Sequence, residues 1–210
     1  MLPLVVATRN SGKLHELRAL FATHGIHVVD LNEVGVAEDV VAEERIESFD
    51  TFEENALAKA RYFAGRLPGR MIVADDSGLC VDALDGRPGV RSKRWSGAGD
   101  LSGGALVAAN NAKLIAELHG VSRRTARFVC AAAFSSPAGE VVVRGEVGGH
   151  ILEGPRGTHG FGYDPLFFAT DLGTTLAEAT SGEKERVSHR GRAFAKLLNE
   201  LRPLGLVELT

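Results

Sequence analysis

The chain has 210 residues, of which 44% are hydrophobic and 24% charged, and its formal net charge is -3. That is an ordinary globular composition, long enough to bury a real core as one large domain or two closely packed lobes. Mild acidity argues against a protein that lives on DNA or RNA, which favours a basic surface. It still allows a small polyanion to be held by a local cluster of lysine and arginine.

Leu2 to Ala7 is a short continuous apolar run, the pattern of a strand buried on both faces of an α/β sheet. It is too short for a signal peptide or a membrane span, so a cytoplasmic protein is expected. Thr8-Arg9-Asn10-Ser11-Gly12-Lys13 follows, then a helical pattern with Leu14, Leu17, Leu20 and Phe21 on one side and Gly25 as its end. Ile26 to Leu31 reads as a second strand, and the acidic stretch 36–50 as a loop. Thr51-Phe52-Glu53-Glu54 has the form of a capping box and opens a helix with Phe52, Ala56, Ala60, Phe63 and Leu67 at helical spacing. Met71 to Ala74 is expected to be a strand that ends at Asp75-Asp76-Ser77-Gly78.

Asp100 to His119 has a helical pattern weakened by Gly103 and Gly104. Ala126 to Phe134 and Glu140 to Val147 read as strands joined by a turn at Ser136-Pro137-Ala138-Gly139. A glycine-rich stretch, 154–164, precedes a short strand at Leu166-Phe167-Phe168. The last helix is expected to start near Ser188, with Phe194, Leu197, Leu198 and Leu201 on its apolar face. Strands interleaved with helices imply an α/β fold, and the adjacent strands after residue 126 imply a mixed sheet. Cys80 and Cys130 lie in apolar runs with no CxxC spacing, so both read as buried reduced thiols.

Four places could carry chemistry. Thr8 to Lys13 is either an anion site, built from helix N-terminal amides and a lysine, or an ordinary strand-to-helix turn. It is no Walker loop, because the upstream glycine is missing and Leu14 stands where a Ser or Thr would meet magnesium. Asp75 and Asp76 at a buried strand end are costly unless a cation meets them, and magnesium prefers such oxygens. The alternative is a turn with Asp as a local acceptor. Gly160-Phe161-Gly162-Tyr163-Asp164-Pro165 is either a tight surface turn or a loop whose glycines let backbone approach a flat ligand on which Phe161 stacks. Lys184 with Ser188-His189-Arg190 is a run of cationic donors at the start of the last helix, or a solvated helix face. A nicotinamide enzyme is disfavoured, since no GxGxxG follows the first strand.

Taken together and in order, these motifs resemble the inosine triphosphate pyrophosphatase family in its bacterial dITP/XTP pyrophosphatase branch. The resemblance covers nearly the whole chain, 1–210, read as one domain of two lobes. It rests on Ala7-Thr8-Arg9-Asn10 with Lys13 and Glu16, Thr51-Phe52 with Glu54-Asn55-Ala56 and Lys59-Ala60, Ala74 to Leu79, Pro88-Gly89-Val90 with Arg94, Gly160 to Pro165, and Ser188 to Gly191.

The resemblance implies a long mixed sheet between two α/β lobes with the active cleft between them, and a homodimer. The implied activity is magnesium-dependent hydrolysis of ITP, dITP and XTP to the monophosphate and pyrophosphate. By position, Thr8, Arg9, Asn10, Ser11, Gly12 and Lys13 would hold the triphosphate. Glu47, four residues before Thr51, and Asp76 would hold the metal. Asp76 would also accept the proton, and Ser77 would touch the substrate. Phe161, Gly162, Tyr163, Asp164, Lys184, His189 and Arg190 would line the nucleoside end. The chain departs from the pattern at Arg9, where many members carry a small residue and where the arginine either adds a phosphate contact or points outward. It is also more basic at Arg91 and Lys93, before Trp95.

Overall fold

The structure is a computed structural model, and it describes residues 3–205. Leu2, expected in the first strand, lies outside that range. The chain divides into two compact units. The first runs up to Asp76 and takes in Cys130–Gly145 and the chain from Arg190. The second comprises Ser77–Val129 and Glu146–His189.

Seven strands form one mixed sheet in the order β2-β1-β3-β4-β5-β6-β7. They are β1 (Leu4–Val6), β2 (Val28–Asp30), β3 (Ile72–Val81), β4 (Thr125–Ser136), β5 (Gly139–Ile151), β6 (Phe167–Ala169) and β7 (Thr174–Thr175). β1 lies parallel to both β2 and β3, so its apolar run is flanked on each side and fully buried. β5, β6 and β7 pair antiparallel. β3, β4 and β5 each carry residues of both units.

In the first unit, helix α1 (Ser11–Thr23) is capped by Asn10, whose side chain accepts from the Lys13 amide. It ends at His24, with Gly25 at φ 70° supplying the left-handed turn. α1 and the C-terminal helix α6 (His189–Leu201) bring Leu17, Phe21, Phe194 and Leu197 onto Val6, Val73 and Phe134 in one buried cluster. Phe21 and Phe194 meet edge to face at 5.6 Å. α3 (Phe52–Arg66) is capped by Thr51, whose side chain accepts from the Glu54 amide and whose hydroxyl donates to the Glu54 carboxylate. In the second unit, α4 (Gly103–Glu117) places Leu114 in a cluster with Leu79, Val81, Phe128, Val147 and Phe167.

Several expectations need correction. The stretch 36–50 is not all loop, because α2 (Val40–Ile46) forms there with Asp39 as its cap. It has no buried residue, hence no apolar period to read. β3 does not stop at Ala74. It runs through Asp75 and Asp76 to Val81, because cations from other elements meet the carboxylates. A separate helix, α5 (Ser181–Val187), precedes α6 and carries Lys184. Its first turn is closed by a Thr180–Glu183 capping box, a local sequence signal. β4 and β5 are longer than expected, β6 lies one residue later, and α4 begins at Gly103 rather than Asp100. Both cysteines are buried and unbridged.

Candidate active site

The first unit gathers an acidic and cationic cluster at the point where β1, α1, α3 and β3 meet. Asp75 is 1% exposed, and its Oδ2 receives Lys13 Nζ at 3.1 Å and Arg190 Nε and Nη2 at 3.3 Å each. Burial alone would push this carboxyl up. Lys13, Arg190 and Lys59 outweigh burial and hold it well below the usual carboxylate range. Arg190 also donates through Nη1 to Glu16. The Cys130 thiol, 3.8 Å from Asp75 Oδ2, is pushed up by burial and then by Asp75, so it stays a thiol.

Asp76 is the next residue along β3, yet its environment acts in the opposite sense. Burial raises its carboxyl. Lys13 and Lys59 counter that, while Glu47 and Asp75 add to it, and the net direction is up. Adjacent carboxylates pushed apart in this way suit different tasks, one a fixed anion and one a base. Asp76 Oδ2 accepts from Asn55 Nδ2 at 3.1 Å. Asn55 also clasps the Phe49 backbone, accepting from its amide at 2.9 Å and donating to its carbonyl at 3.1 Å. One turn further along α3, Lys59 donates to the Asp75 carbonyl at 2.8 Å and forms an ion pair with Glu47. Burial opposes the charge on Lys59, but Glu47, Asp75 and Asp76 raise its pKa overall. Asn55 and Lys59 therefore join the site although no role was read for them. The signal was available, because both sit beside the apolar face of α3 at a spacing of one turn.

The structure puts Thr8 to Lys13 at the start of α1. Ser11, Gly12 and Lys13 form its first turn, with no acidic residue there to compete for an anion. Asn10 is engaged as the cap, and its amide donates to Thr8 Oγ1 at 3.2 Å. The Arg9 guanidinium donates to Glu43, Asn32 and the Val36 carbonyl.

The second unit holds most of the residues expected at the nucleoside end. Asp164 is 3% exposed; its Oδ2 accepts from the Phe161 amide at 2.8 Å and from Lys184 Nζ at 2.7 Å. Lys184 Nζ lies 5.0 Å from the centre of the Phe161 ring. A Cβ on Gly160, at φ 74°, would come within 2.2 Å of Asp164 Oδ2, so only glycine lets the loop close on this pair. The buried Tyr163 hydroxyl donates to the Ser92 carbonyl at 2.8 Å, and Asn111 Nδ2 donates to the Gly162 carbonyl at 3.1 Å. Tyr163 and Asp164 thus frame the loop. His189 stacks on Phe128 at 4.7 Å and 11° between planes. Ser77 is partly exposed on β3. Arg190 is not with this group; it belongs to the first unit and the Asp75 cluster. Arg91 and Lys93 are exposed on the 3₁₀ turn Gly89–Arg94.

Among the described residues, no group of three or more His, Cys, Asp or Glu side chains is arranged to hold a metal. Magnesium does not require one, since it commonly takes one or two carboxylates together with substrate phosphates. The donor set at this cluster is all oxygen. Asp75 Oδ1, fully buried, has no hydrogen-bond partner among the described residues. The oxygens of the Glu47 and Asp76 carboxylates fit a hard divalent cation. No helix among the described residues is long and apolar enough to cross a membrane.

Comparison with known proteins gives a consistent match. Residues 4–200 match the family model described as the Ham1 family. A curated relative from Frankia alni, named dITP/XTP pyrophosphatase, is 50% identical over 202 residues, covering 95% of this chain and 96% of its own. The solved structure of the Staphylococcus aureus Ham1 protein superposes with a TM-score of 0.80 at 35% identity, covering 97% of this chain and all (100%) of its own. The crystal structure of a nucleoside-triphosphatase / dITP/XTP pyrophosphatase from Mycobacterium abscessus gives 0.69 at 45% identity, covering 95% and 100%.

Proposed function

The chain belongs to the Ham1 family, and from that premise we propose that it is a nucleoside triphosphate pyrophosphatase that clears dITP, XTP and ITP from the nucleotide pool. The observation that carries this reading is the pair of adjacent buried carboxylates on β3 whose surroundings push their pKa values in opposite directions. Asp75 is pinned as an anion by Lys13 and Arg190, and Asp76 is raised toward a base.

In this reading the first turn of α1 and Lys13 bind the polyphosphate. Glu47 and Asp76 are the residues that would hold magnesium, which when bound supplies positive charge against the phosphates and the leaving pyrophosphate. Lys59 keeps Glu47 in place, and Asn55 fixes Asp76. Asp76 orients a water and accepts its proton as the water attacks the α-phosphorus. Ser77 contacts the substrate.

Phe161 offers the flat surface for the base. Lys184 and His189 can donate hydrogen bonds, as the carbonyl at position 6 of hypoxanthine and xanthine requires. Adenine presents an amino group there and would leave such donors unmet. The residues that frame the base loop, Gly162, Tyr163 and Asp164, set its shape. The protein acts on free nucleotides in the cytoplasm, as a homodimer whose mass light scattering would check.

The test is a comparison of kcat/KM across ITP, dITP, XTP and ATP with magnesium present. The first three should exceed ATP by at least about tenfold, the cost of one to two kcal/mol for an unmet buried donor. ATP within twofold of ITP would contradict this account of base choice.

A further inference from the structure

Arg9 stands in the middle of the stretch assigned to phosphate, yet its guanidinium is committed to the protein. Nε and Nη2 donate to the two oxygens of the Glu43 carboxylate at 3.2 and 2.9 Å. Nη2 also donates to the Val36 carbonyl at 3.0 Å, and Nη1 to Asn32 Oδ1 at 2.9 Å. The side chains of Arg9 and Glu43 are 20% and 15% exposed, so this two-pronged pair is well shielded.

Glu43 lies on α2, a short helix capped by Asp39 that also touches α3. The helix has seven residues and buries none of them. A helix of that length is unstable without outside support. The residue that follows it, as its C-cap, is Glu47. The Glu47 carboxylate is met by Lys59 from α3, and the backbone that presents it is the end of α2, whose start Arg9 grips through Val36 and Glu43 on either side. A lysine could not replace the arginine, because a point charge on a flexible stem cannot span a carboxylate, a carbonyl and an amide oxygen at once.

We propose that Arg9 is a positioning residue that locks α2, and with it Glu47, to the phosphate loop. The inference rests on the reading of Glu47 as a metal ligand. It makes the arrival of phosphate at the start of α1 and the placement of a magnesium carboxylate parts of one rigid assembly.

The test compares Arg9→Ala, Arg9→Lys, Glu43→Gln and the double variant Arg9→Ala/Glu43→Gln with the parent, and uses Glu47→Gln as a reference. Amide hydrogen exchange in the metal-free protein is read first. Residues 40–47 should exchange faster in Arg9→Ala and in Glu43→Gln, with the amides of α3 unchanged. Unchanged exchange at 40–47 overturns the proposal.

The magnesium dependence is read second, at saturating nucleotide. The concentration of magnesium for half-maximal rate should rise about tenfold in Arg9→Ala, as expected when a residue orienting a metal ligand is lost. High magnesium should restore kcat, and Arg9→Lys should restore the dependence only in part. The double variant should be no worse than Arg9→Ala. A rise in nucleotide KM in Arg9→Ala, with magnesium dependence and exchange as in the parent, would make Arg9 a phosphate contact instead and overturn the proposal. Faster exchange at 40–47 combined with a parent-like magnesium dependence in Glu47→Gln would keep the Arg9 lock and sink the assignment of Glu47.

Discussion

Asp76→Asn is expected to lower turnover on ITP by about a hundredfold or more without unfolding the protein, the combined loss of a general base and a metal carboxylate. The substitution keeps the shape of the side chain and an oxygen that can still accept from Asn55. It removes a charge that burial already disfavours, so the fold loses little. The chemistry loses its proton acceptor. Steady-state turnover at saturating nucleotide and magnesium, with circular dichroism to verify folding, checks this. A folded Asp76→Asn protein with near-parent turnover would show that the base is elsewhere.

Asp75→Asn should behave in the opposite way, with stability as the first casualty. Asp75 is the counter-charge for Lys13 and for Arg190, whose side chains are 14% and 3% exposed. Removing one member of a buried ionic set strands the others and costs about 3–5 kcal/mol. The pH dependence follows from the direction of the shift. The folded carboxyl titrates below its unfolded value of about 3.9, so its stabilisation is fully present above that pH. It is lost as the pH falls toward the folded value. Urea midpoints should therefore drop sharply in Asp75→Asn at neutral pH. The gap to the parent should narrow as the pH is taken below about 3.9, the unfolded value. An unchanged midpoint at neutral pH would contradict the role given to Asp75 as the anchor of the cluster.

Much of this was legible in the sequence where local chemistry decides the outcome. β1 is an unbroken apolar run, Asn10 and Thr51 cap their helices, and Gly25 ends α1. The family resemblance was carried by short motifs in a fixed order, and the Ham1 match over residues 4–200 agrees with it.

What could not be read was set by distant partners. Two adjacent carboxylates looked like the end of β3 because a buried strand should not carry them. The cations that make them tolerable come from α1, α3 and α6, the last of them 115 residues away in sequence. α2 left no apolar period because it buries nothing and is held by Arg9 from another segment. Arg190 was grouped with His189 as its neighbour in sequence, while its guanidinium turns to Asp75 and Glu16. Conversely, the capping box at Thr180 and Glu183 was local and readable, and it marks α5 as a helix separate from α6.

The central claim is that water attacks the α-phosphorus with Asp76 as its base, releasing pyrophosphate in one step. The measurement that tests it most directly is hydrolysis of ITP in ¹⁸O-labelled water with magnesium, followed by mass analysis of the products. The account predicts IMP carrying the label, unlabelled pyrophosphate and no IDP. Label in pyrophosphate, or release of orthophosphate with IDP, would contradict it.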